Sequence, residues 1–135
     1  MAAGEWVQIT TDTPDVQTGG TRGLFAGGFV SPASKDEIDY INIATTGNAI
    51  DFGNLTVARR ESGGFSNRTR ALWAGNAVPG ANNTIDFVTI SSTGNATDYG
   101  DLLSATSNCQ GFAGVANATR GMFAGGTTGT RQDII

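Results

Sequence analysis

The chain contains no histidine, one cysteine and a single lysine, Lys35. Without imidazole there is no commonest general base, no histidine-based triad and little to hold a transition metal. The lone Cys109 can form neither an internal disulfide nor a cysteine-rich zinc site. It lies in SNCQGF with no basic neighbour in sequence to activate it, so it is expected to be inert. Charge is also scarce. Only 15% of residues are charged and the net charge is −4. Such a balance does not suit a general nucleic-acid surface. No apolar run approaches the length of a membrane span. The amino-terminal MAAGEWVQIT lacks the basic and apolar regions of a signal peptide. Sustained apolar spacing at three and four residues is missing as well, which argues against long helices.

What is abundant is glycine, 20 residues among 135, together with threonine and asparagine. That mixture suits short strands joined by tight turns, in one domain's worth of chain. The arrangement is repetitive. TRGLFAGG at 21–28 returns as TRALWAGN at 69–76 and as TRGMFAGG at 119–126. IDYINIATTGNAIDFGNL (38–55) matches IDFVTISSTGNATDYGDL (85–102) without a gap, at a constant offset of 47 residues. The repeat divides the chain into a partial unit 1–20, units 21–68 and 69–118, and a partial unit 119–135.

Within a unit, the glycine-ended apolar stretch predicts a buried strand that a neighbouring backbone can approach closely. The next stretch carries Ile38 and Tyr40 on one face and Ile41 and Ile43 on the other. Its second copy carries Ile85 and Phe87 against Val88 and Ile90. Apolar groups on both faces predict a strand covered on both sides. Gly47-Asn48 and Gly94-Asn95 read as the centres of two-residue hairpins. The strand that follows is expected to bulge at Gly53 and Gly100, and a weaker fourth strand is expected before the next arginine. Variable loops are expected at 29–37, 76–83 and 103–117. The fold expectation is therefore all-β, in about three four-stranded units of the propeller-blade type. Three such blades are too few for a ring, so closure is expected through pairing of terminal strands or assembly of two or three chains. The alternative is a self-closed β-prism or β-trefoil.

The phrase TRGxFAGG…IDYxxIATTGNAxDFGDL resembles the tandem kelch-like repeats of virion structural and tail-fibre-like proteins from marine and cyanobacterial tailed phages. The likeness covers residues 21 to about 126. It departs from kelch proper in lacking that motif's spaced tyrosine and tryptophan. It implies a non-enzymatic module of a phage particle, in the capsid decoration or the tail, with itself and other virion proteins as partners. The alternative is a lectin-like module for host surface glycans.

Candidate positions follow the repeat. Arg22, Arg70 and Arg120 either bind an anionic ligand or, as the preferred reading, pair with Asp39, Asp86 and Asp133 or with carbonyls. Gly27, Gly75 and Gly125 mark strand ends, and Gly47 and Gly94 mark the turns. Asp51 and Asp98 read as turn caps in preference to calcium ligands or hydrolytic carboxylates. Trp73 stands where phenylalanine stands in the other copies and is expected in the core. Trp6, outside the clean repeat, is the candidate ligand contact. The N-x-S/T asparagines Asn54, Asn67, Asn82, Asn95 and Asn117 read as turn residues rather than glycan acceptors. No catalytic residue, metal or cofactor is expected.

Overall fold

A computed structural model of the chain describes residues 21–75, 82–106, 113–126 and 130, and all its regular structure there is β. Trp6, Cys109 and Asp133 lie outside the described residues. Among the described residues nine strands run in order: β1 (Arg22–Val30), β2 (Ala33–Asn42), β3 (Ile50–Arg59), β4 (Gly63–Ser66), β5 (Arg70–Ala74), β6 (Asn82–Thr89), β7 (Thr97–Thr106), β8 (Ala113–Ala116) and β9 (Gly121–Ala124). They form three antiparallel meanders, β1-β2-β3, β4-β5-β6-β7 and β8-β9. The middle sheet has four strands, but its first, β4, comes from the unit 21–68 and not from the unit 69–118. The sheets are cut at a different phase from the repeated phrase. The short strand before the second and the third TR phrase pairs forward with it (Gly64 opposite Trp73, Gly114 opposite Phe123) and so opens a sheet instead of ending one.

Gly75 and Gly125 follow strand ends as expected, but Gly27 lies inside β1, at a bulge between Ala26 and Gly28, because β1 runs on to Val30. The three glycines nevertheless share one backbone conformation. Gly27, Gly75 and Gly125 have φ values of 73, 72 and 83 degrees. Glycine reaches this left-handed conformation without a Cβ penalty. The register slips at Ile38–Asp39 against Gly53–Asp51 and at Ile85–Asp86 against Gly100–Asp98. These slips place the two bulges where the sequence suggests them.

Two expectations about connections do not hold. The Gly47-Asn48 and Gly94-Asn95 pairs do not centre two-residue hairpins. Tyr40 pairs with Ile50 and Phe87 with Thr97, which leaves connections spanning 43–49 and 90–96. The chain turns at the start of each connection, where Thr45 N–H donates to Asn42 C=O and Ser92 N–H to Thr89 C=O. The Thr-Gly-Asn-Ala that follows is open backbone. The expected variable loop at 29–37 is also mostly strand, because β1 and β2 continue as a hairpin turning at Ser31-Pro32.

The core lies between the first two sheets. Directly paired residues share a face. On that basis β1 and β2 present Leu24, Ala26, Ile38 and Tyr40 on one side, here called trailing. They present Gly23, Phe25, Asp39 and Ile41 on the other, the leading side. In the middle sheet Ala71, Trp73, Asp86 and Val88 are leading, and Phe65, Leu72 and Phe87 are trailing. The trailing residues Ile38, Phe52 and Leu55 of the first sheet pack with leading Ala71, Trp73 and Val88, and with Ile90, in one buried cluster. Trp73 is 8% exposed, the core position expected of it. Burial of such side chains contributes about 1.5–3 kcal/mol each.

Candidate functional site

The junction between the first and second sheets is where the polar side chains converge. Arg59 ends β3 and is fully buried, as is Asp86 in β6. Arg59 Nη2 lies 2.7 Å from Asp86 Oδ2. Nη1 donates to the carbonyls of Trp73 at 3.3 Å and Thr84 at 3.2 Å. Asp86 also accepts from the Thr56 N–H at 3.2 Å and from the Thr56 hydroxyl. A buried charge is tolerable only when so fully partnered.

Backbone contacts lie beside this pair. The stretch after β6 docks on the edge of β3: Gly94 N–H donates to Phe52 C=O at 2.8 Å and Ala96 N–H to Asn54 C=O at 2.7 Å. Asn95 Oδ1 accepts from the Asn54 N–H at 3.1 Å. A Cβ on Gly53 would collide with the Gly94 carbonyl. Only glycine admits so close a neighbour. Between the second and third sheets the contact is aromatic. The Phe65 and Phe123 rings lie 4.6 Å apart, and Phe65 also occupies the space above Gly121. Ring pairs at such a separation attract beyond the area they bury.

Two of the repeated arginines are held by rings, and Arg22 by a carbonyl as well. Arg22 stacks over Tyr40 at 4.7 Å and Arg70 over Phe87 at 4.8 Å. Each ring face attracts the cation above it. These rings in turn meet Phe52 and Tyr99 edge to face, at 6.0 and 5.9 Å. Arg22 Nη1 also crosses to the second sheet and donates to Ile90 C=O at 2.9 Å. The expected pairing of Arg70 with Asp86 is therefore replaced by Arg59, and Asp39 is exposed. Arg120 is exposed, its backbone N–H held by Asn117. Arg59 carries no repeat signal, since 47 residues on stands Thr106.

Asn67 and Asn117 sit in turns as expected, whereas Asn54 lies inside β3, Asn82 begins β6 and Asn95 lies in the extended segment docked on β3. Asn67 Oδ1 accepts from the N–H groups of Thr69 and Arg70, and Asn117 Oδ1 from those of Thr119 and Arg120. A short amide side chain can bond its own backbone two residues on, which is why asparagine suits these turns. Asn82 Oδ1 accepts from Thr84 N–H at 2.7 Å. Asp98 caps the bulge by accepting from Gly100 N–H at 2.8 Å. Asp51, its counterpart, is exposed opposite Asp39.

A cleft of about 830 Å³ opens where the starts of β1 and β5 meet the turns after β4 and β8. Arg22, Phe65, Asn67, Arg68, Trp73 and Asn117 are among its walls. Among the described residues no helix is long and apolar enough to cross a membrane. No family model matches the chain, and no curated protein shows significant similarity to it.

Proposed function

We propose that the chain is a non-enzymatic structural and interaction module of a tailed-phage particle, built from propeller-blade-type sheets that associate with copies of themselves. The supporting observation is the use made of the repeated polar residues. Arg22, Asp86, Asn95, Asn67 and Asn117 each bind backbone or an opposite charge, the first three between sheets and the last two within turns. Side chains engaged in this way serve rigidity and register. The assignment to a virion rests on the likeness of the TRGxFAGG…IDY phrase to phage repeat proteins. Mass spectrometry of purified particles of the phage that encodes the chain tests it. The chain is expected at a fixed copy number per particle. Its absence from particles that nevertheless assemble and infect would refute the reading.

A second reading, recognition of host surface glycans, is favoured by the cleft, whose walls combine aromatic rings, amides and arginines. Together these are the groups that stack on and hydrogen-bond to sugars. On a glycan array, binding of related acidic or neutral sugars that is lost in Asn67→Ala and Phe65→Ala would support it. A blank array would remove it.

A further inference from the structure

We infer that the leading face of the first sheet is the seat for the trailing face of the third sheet of a second copy of this chain, joined head to tail. The inference rests on the self-association proposed above and names the surfaces that carry it.

The chain twice makes a contact of this kind within itself. The trailing face of the first sheet covers the leading face of the second, and trailing Phe65 of the second meets leading Gly121 and Phe123 of the third. Among the described residues the outer faces of the series are exposed. Leading Phe25 is 60% exposed, whereas its counterpart Trp73 is 8% exposed. Ile43 is 69% exposed against 7% for Ile90. Asp39 is exposed where Asp86 is fully buried. At the other end, trailing Val115 and Met122 pair with each other and are 57% and 54% exposed.

These two surfaces have the chemistry of the contact already formed. Gly23 and Phe25 repeat the seat made by Gly121 and Phe123, which receives Phe65. Val115 occupies the position of Phe65, since Val115 faces Met122 as Phe65 faces Leu72. A leading face meets a trailing face in every internal case, so the contact between copies is heterologous and closes only by forming a ring. The described residues of each chain form three sheets, so two copies bring six such sheets together. That number lies inside the range of about four to eight that propeller rings adopt. Three copies would give nine sheets and one copy three, both outside it.

Light scattering and sedimentation equilibrium of the purified chain test this. The wild type is expected at twice the 13.8 kDa chain mass. Phe25→Asp and Val115→Lys should each weaken association by at least about tenfold while leaving the far-ultraviolet β spectrum unchanged. The two changes together should restore the double mass, because the new carboxylate and ammonium would face one another. If either single variant loses its β spectrum, Met122→Lys replaces it in the same assay. A wild type of single-chain mass overturns the inference. So does a double mass that all three single variants retain, and that second result would leave self-association standing with a different seat. Detection of the chain in particles is independent of both outcomes.

Discussion

Arg59 at the end of β3 and Asp86 in the middle of β6 form a fully buried ion pair, 2.7 Å apart, that joins the first sheet to the second. The guanidinium also donates to the carbonyls of Val57, Trp73, Gly75 and Thr84, and the carboxylate accepts from a threonine hydroxyl, so each charge is held by several dipoles. Removing one member leaves the other desolvated and alone, at a cost of about 3–5 kcal/mol. Arg59→Met should therefore lower the urea midpoint strongly, and Asp86→Leu likewise. The double variant should recover most of the loss, because an apolar pair of similar volume can replace a buried ion pair. Additive losses in the double variant would show that the two residues do not act as a pair.

Gly53 and Gly100 offer a matched comparison. Their φ angles are 148 and 140 degrees, and both sit at bulges. A Cβ at Gly53 would meet the Gly94 backbone, while at Gly100 it would find nothing within 4 Å. Both alanine variants incur conformational strain of about 1–3 kcal/mol. Gly53→Ala should cost about 1–3 kcal/mol more, since a rigid backbone must move aside. Equal losses on equilibrium unfolding would mean that the docked Gly94 segment contributes nothing to stability.

At the second junction, a Cβ on Gly121 would run into the Phe65 ring. Gly121→Ala is expected to destabilise the chain by about 1–3 kcal/mol through overpacking. In a Phe65→Leu background the same change should be much milder. Thermal unfolding of the four chains of this cycle gives the coupling directly, and a coupling near zero would dismiss the contact.

Asn67 Oδ1 gathers two backbone N–H donors and the Thr69 hydroxyl. Asn67→Ala should cost about 1–2 kcal/mol from the donors left unpaired. Asn67→Asp should retain the capping part of the stability, because the carboxylate accepts the same bonds, and lose the Nδ2 donation to Ala118 C=O. If Asp is as harmful as Ala, the cap is not what holds the turn.

Much of this architecture is readable from the repeat. Strand positions, the bulges at Gly53 and Gly100, the core place of Trp73 and the capping asparagines all follow from local residue chemistry. The sheet phase does not, because Gly63–Ser66 carries too few residues to declare whether it pairs backward with β3 or forward with β5. Gly94-Asn95 is ambiguous for a similar reason. A hairpin turn and an extended segment docked on another sheet both call for a residue without a Cβ, and only the neighbour distinguishes them. Arg59 escapes any reasoning from repetition, which looks for what recurs. The strongest polar link sits at a position where the two copies differ, Arg59 in one and Thr106 in the other.

The backbone docking of Gly94 and Ala96 on Phe52 and Asn54 has an evolutionary corollary. Beyond the glycine at position 53, main-chain bonds ask little of side-chain identity, so an in-frame tandem duplication of one 47-residue period would arrive with its own socket and plug already matched. A gene of this design can grow or shrink by whole modules, while substitutions accumulate freely at the rims.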